Sequence, residues 1–192
     1  AHRMQLAGAN DQYTVNEKIS EAILENKSMP KLTKQKISNV IELLEKLYDL
    51  WEERFNEDIS SNFLFYRSNK LILDNSNFPL VKTADRFKLK KKDLFLYLVL
   101  IWETLTGRES ADLKRIIGGI FDNKTKQVNQ MQDFLSGANP LITHDLVEIV
   151  EARFLNDAEI KLTDFSHQLL KESGIKVSAN SARKENVISS ED

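Results

Sequence analysis

The chain contains no cysteine in 192 residues. Disulfide staples, thiolate nucleophiles and cysteine-based zinc sites are therefore excluded together. Proline occurs three times and glycine six, so neither a collagen-like nor a Pro/Gly-rich disordered composition applies. The longest apolar run, Leu94 to Trp102, is nine residues, about half of the ~18 that a membrane span needs. No basic start, apolar stretch and small-residue cleavage site follow one another as in a secretory signal, so a cytoplasmic location is the expectation. A dominant charge is also lacking: 27 Lys and Arg face 29 Asp and Glu, a net charge of −2. Any attraction for nucleic acid would have to come from a local basic patch. What is present, 41% hydrophobic and 29% charged residues, suits one good core or a small domain with a helical appendage.

Residues 1–12 show no periodicity, and Ala1, His2 and Arg3 ahead of Met4 read as the remnant of an expression tag. A helical region is expected over 13–80. Thr14 and Glu17 form a capping box, in which the hydroxyl bonds the N3 amide and the glutamate reaches back. Val15, Ile19, Ala22 and Ile23 follow at helical spacing, and Pro30 separates this helix from the next. Thr33 can cap a longer helix carrying Ile37, Val40, Ile41, Leu44, Leu47, Tyr48, Trp51 and Phe55 in steps of three and four. That stripe fits a helical hairpin packed on the domain; its near-heptad spacing also fits an oligomer surface. Residues 62–74 read equally as two short strands turning at Ser68 and Asn69 or as a helix with an extended connection, ended by Pro79.

A second domain is expected over 81–174. Leu94 to Leu105 reads as a buried helix with Gly107 as its stop. Leu113, Ile116, Ile117, Ile120 and Phe121 form one helical stripe capped near Ser110, interrupted by Gly118 and Gly119, which would permit close approach of a neighbour. A third helix, from about Thr125 to Gly137, carries Val128, Met131, Phe134 and Leu135. Leu146, Val147, Ile149 and Val150 then read as a strand, with a turn at Asn156 and Asp157. Ile160 and Leu162 form the returning strand, and Thr163 caps a helix that ends at Gly174. Three helices, a hairpin and a helix follow the winged helix-turn-helix order. The expected fold class is thus mainly α (α+β): an N-terminal helical hairpin followed by a winged helix-turn-helix with a two-stranded wing. Residues 175–192, rich in Ser, Asn and charge, read as a linker.

Catalytic chemistry has little support. No GxxxxGK[ST] loop occurs, and Gly118-Gly119 lies within an apolar stripe where it cannot cradle phosphates. His144 and His167 lack acidic neighbours at ligand spacing. Glu148 and Glu151, an odd number of residues apart on a strand, face opposite sides and form no acid/base pair. Nucleic acid or partner binding has named candidates. The second helix of a helix-turn-helix motif enters the major groove, and here it presents Lys124, Lys126, Gln127, Asn129 and Gln130, with Lys114 and Arg115 nearby. Gln and Asn can read adenine edges while lysines neutralise phosphates. The wing opposes that role, because Asp145, Glu148, Glu151, Asp157 and Glu159 outnumber Arg153 and Lys161. The densest basic run, Arg86 through Lys92, reads as a solvated helix start.

The segment FKLKKKDLFLYLVLIWETLTG, from Phe87 to Gly107, resembles the helix opening the N-terminal winged-helix domain of a group of bacterial AAA ATPases. The likeness continues through ANPLITHDLVEIVEARFLNDAEIKLTDFSHQLL: Asn139, Pro140 and Leu141, then the strand, the wing, and the helix start at Leu162, Thr163 and Asp164. It covers roughly residues 87–192. The resemblance implies a parent enzyme that hydrolyses ATP, with its Walker loop, magnesium ligands and arginine finger beyond Asp192. ATP and magnesium belong to that downstream domain, and no catalytic, cofactor or metal residue falls within this segment. The implied role is a non-catalytic adaptor that binds a protein target or gates the motor, oligomerising through the parent protein, without membrane contact. The alternative is a DNA-binding regulator, dimerised by its N-terminal helices, that reads duplex DNA.

Overall fold

The computed structural model describes residues 36–151 and 157–176. The capping box at Thr14, the first helix stripe and the tail after Lys176 lie outside the described residues, as do Thr33 and Arg153.

Helix α1 (Val40–Phe55) starts later than a Thr33 cap would place it, because Asn39 supplies the cap by accepting from the Glu42 amide. Glu42 reaches back to both the amide and the hydroxyl of Ser38. Its buried stripe is Leu43, Leu44, Leu47, Leu50 and Trp51. The face therefore packs into the domain and leaves only Ile41 and Phe55 as its large exposed hydrophobics. Residues 61–74, ambiguous in sequence, form helix α2 (Ser61–Asp74), capped by Ser60. Leu64, Ser68, Leu71 and Ile72 line its inner face, uniting in one helix two apolar runs that fitted strands and a helix equally. Pro79 opens helix α3 (Pro79–Arg86) at its first turn. There its missing N–H costs nothing and its fixed φ favours the helix. Helix α3 also runs across the 80/81 boundary expected between two regions.

Helix α4 (Lys91–Leu105) is buried without interruption from Asp93 to Ile101, as an all-round apolar helix must be. It packs against α1, α2 and the later helices and strand. After Gly107, held at φ 100, the chain forms a strand that sequence reading missed. Strand β1 (Ala111–Asp112) has two residues, too few for any alternation to register. Asp112, and not Ser110, caps helix α5 (Leu113–Gly118) by accepting from the Arg115 amide. Ser110 instead donates to Glu159. Helix α6 (Lys124–Leu135) is capped by Asn123 and followed by Gly137 at φ 73. Met131 and Phe134 are buried as expected, but Val128 is 42% exposed.

A short helix, α7 (Pro140–Thr143), precedes strand β2 (Val147–Glu151), strand β3 (Glu159–Leu162) and helix α8 (Asp164–Glu172). The sheet is antiparallel, in the order β1-β3-β2, so the wing has three strands where two were expected. Val147 pairs with Leu162 and Ile149 with Ile160, after which a bulge shifts Glu151 onto Glu159. Thr163 caps α8 as expected, accepting from the Ser166 amide. Ser166 donates to the Leu146 carbonyl, leaving its oxygen to accept from the Tyr97 hydroxyl. One buried cluster runs from Ile37 to Ile175 and draws on all these elements. The fold is mainly α with a small antiparallel sheet.

Candidate functional site

The residues singled out for binding separate into two groups. Lys114, Lys124, Lys126 and Asn129 are exposed. The other three are occupied by the fold. Gln127, half-buried, donates to the Phe121 carbonyl at 2.6 Å. Gln130 is buried and accepts from Lys92 at 2.7 Å. Arg115 stands over the Trp51 ring, 4.9 Å from its centroid, with Nη2 2.6 Å from Oε1 of Glu103. What α6 offers a partner is therefore the polar face of Lys124, Thr125, Lys126, Asn129, Gln132 and Asp133 beside the exposed Val128.

Arg115 is held within a larger arrangement. Glu103 is only 1% exposed, and a charge there needs compensation from its neighbours. Tyr48 on α1 donates to Oε1 at 2.6 Å, and Arg108 places Nε 3.0 Å from Oε2. The two arginine contacts are ion pairs by distance, and Oε2 and Nη2 lack aligned hydrogen bonds. Burial raises the pKa of the Tyr48 hydroxyl, and the bond to Glu103 raises it further. Burial alone would lower that of Arg115, but the carboxylate of Glu103 outweighs it and holds the guanidinium charged. This site lies between α1, α4 and α5, and its charged groups face one another.

A second polar junction ties α1 and the start of α2 to the segment after α5. Arg54 pairs with Asp122, whose other oxygen accepts from the Ser61 amide at 2.9 Å while Ser61 Oγ accepts from the Asp122 amide at 2.8 Å. Between the junctions, Trp51 donates to the Ile116 carbonyl at 3.0 Å. A Cβ on Gly119 would come within 2.2 Å of the Trp51 indole, whereas one on Gly118 would meet nothing. Close approach thus requires glycine at one position of the pair.

The wing keeps its acidic character. Glu148, Asp157 and Glu159 are exposed, and Lys161 is paired with Glu148 at 3.0 Å. His144 is exposed, with its ring 5.4 Å from that of Phe87. Among the described residues no three His, Asp or Glu side chains gather to hold a metal ion. No described helix is long and apolar enough to cross a membrane.

Two features escaped sequence reasoning. Asp93 is 2% exposed near the start of α4, and its Oδ2 has no hydrogen-bond partner. Burial pushes its pKa up against the opposing charges of Lys92 and Lys90 and the amide of Asn139. The only sequence signal was an aspartate directly abutting a nine-residue apolar run. The other feature is the corner at Arg86–Lys91, where exposed cations adjoin an aromatic group built from Phe87 and Phe165, 5.9 Å apart edge to face. Its basic run was legible, but Phe165 and His144 reach it only through the fold. No family model, no curated protein and no solved structure matches this chain.

Proposed function

We propose that the chain is a non-catalytic winged-helix adaptor that works in the cytoplasm, binding a protein target or gating an ATPase domain that follows it. The observation that carries this reading is the internal use of three of the seven groups a DNA reader would need, among them both glutamines. Gln127, Gln130 and Arg115 are engaged by Phe121, Lys92 and Glu103, and the wing's Lys161 is paired with Glu148. An acidic wing repels a phosphate backbone, whereas a protein partner tolerates mixed charge and uses the exposed Val128. The resemblance of residues 87–192 to domains preceding AAA ATPase modules supports the motor half of the proposal. ATP and magnesium would then act in the downstream domain, and oligomerisation would come from the parent protein.

The test is the coding sequence that continues past Asp192. A Walker loop within the following domain supports the adaptor of a motor, and an unrelated continuation overturns that half. A second reading, a DNA-binding regulator, draws on Lys124, Lys126 and Asn129, all exposed on α6. Dimerisation through α1 has less support, since most of its stripe lies in the core. An electrophoretic shift on duplex DNA, steepened by lowering salt, would favour the regulator.

A further inference from the structure

Where α3 gives way to α4, four cations are exposed within six residues: Arg86, Lys88, Lys90 and Lys91. None of them makes an ion pair among the described residues. The contrast with Arg54, Arg108 and Arg115, each of which meets a carboxylate, is complete. Arg86 is nevertheless held in place. Its guanidinium stands 5.1 Å from the centroid of Phe87 and 6.0 Å from that of Phe165. A stacked guanidinium keeps its planar fork of donors free for a carboxylate. Because the rings already restrict it, it loses less conformational freedom on binding than a free arginine would.

We propose that this corner docks an acidic peptide segment of a protein partner, with Arg86 taking one carboxylate bidentately and Lys88, Lys90 and Lys91 taking its neighbours. A peptide fits better than duplex DNA because the rim is acidic. Asp85 precedes Arg86, Asp145 adjoins His144 and Asp164 adjoins Phe165, and all three are exposed. A duplex carries one charge per about 1.7 Å, so its backbone would press phosphates against those carboxylates. A peptide with spaced glutamates can place its charges between them. The inference rests on the protein-partner half of the proposed function and is independent of any attached motor.

The experiment uses a fluorescein-labelled eight-residue peptide of alternating Glu and Gly, titrated with the chain at low salt and followed by anisotropy. Saturable binding is expected, and Arg86→Glu with Lys90→Glu weakens it by at least about tenfold, from two lost ion pairs and the repulsion replacing them. Arg86→Lys, which keeps the charge but not the fork, falls between the two. Lys124→Ala with Lys126→Ala, on α6, leaves the affinity unchanged. Lys91→Glu, a single exposed change, serves as a second reversal should the double variant lose its melting transition. Absence of peptide binding, or binding indifferent to the corner variants, overturns the proposal. So does a duplex DNA that binds more tightly than the peptide and loses affinity with the same corner variants. Absent or indifferent peptide binding would leave the adaptor reading standing, since that reading is decided by the sequence beyond Asp192 and by targets held on α6, whereas tight duplex binding at the corner would count against both.

Discussion

Around α1 and α5 every guanidinium is engaged: Arg54 with Asp122, Arg108 and Arg115 with Glu103. At the corner between α3 and α4 the exposed cations make no ion pair among the described residues: Arg86 stands over rings, and Lys90 acts on the Asp93 carboxylate only at longer range. The first region is closed over its charges, with Glu103 and Arg54 buried. The second leaves them exposed. Both are rich in charge and aromatic rings, yet burial decides what the charge does. In the closed region it holds α1 against α5, and in the open one it stays exposed.

The closed region should break hardest. Trp51→Ala removes a fully buried indole and its bond to Ile116, and should cost about 3–5 kcal/mol in denaturant unfolding. Glu103→Ala leaves Arg115 half-buried beside Trp51 without its counter-charge. The expected loss is about 2–3 kcal/mol, toward the low side for a buried pair because Arg108 and Arg115 are partly exposed. The glycine pair gives a sharper comparison. Gly119→Ala drives a methyl into the Trp51 indole and should cost about 1–3 kcal/mol. Gly118→Ala, with open space at its Cβ, should be neutral or stabilise the helix by up to about 1 kcal/mol.

Asp93 gives a smaller, pH-dependent effect. Its pKa is raised in the fold by burial, so the native state binds its proton more tightly than the unfolded chain does. Its contribution to stability is then full below the unfolded pKa and is lost as pH rises through the folded one. Asp93→Asn should accordingly raise the melting temperature at pH 7, with the gain shrinking as pH is lowered toward 3. A variant less stable at neutral pH would show that the charged form is the one the fold favours. The open region should give the least effect on folding: Arg86→Glu should alter stability by no more than about 0.5 kcal/mol.

How much of this was legible follows from the physics of each element. The α4 run, the α6 stripe, the β2–β3 hairpin and the Thr163 cap could be read, because each is a local pattern of period and cap chemistry. Strand β1 could not, since two residues paired to Ile160 and Glu159 carry no period of their own. Helix α2 was ambiguous because its apolar residues come as runs, Phe63 to Tyr66 and Leu71 to Leu73, and only packing chose which of them to bury. The winged-helix order suggested which helix to examine for binding, but Gln130 and Arg115 looked as free as Lys124 and Lys126. Their partners, Lys92 and Glu103, lie 38 and 12 residues away on α4, and no local pattern links them. The Glu103 and Asp122 junctions are likewise tertiary, so the contacts that join the N-terminal helices to the rest were not legible.

The most direct measurement is a titration of a duplex DNA of about 20 base pairs with the chain, by anisotropy, from roughly 50 to 200 mM salt. For an adaptor in which Gln127, Gln130 and Arg115 are engaged within the fold and the wing is acidic, no saturable binding is expected even at the lowest salt. Submicromolar binding that falls steeply with salt and is lost in Lys124→Ala with Lys126→Ala would contradict it, and would make α6 a DNA-reading helix.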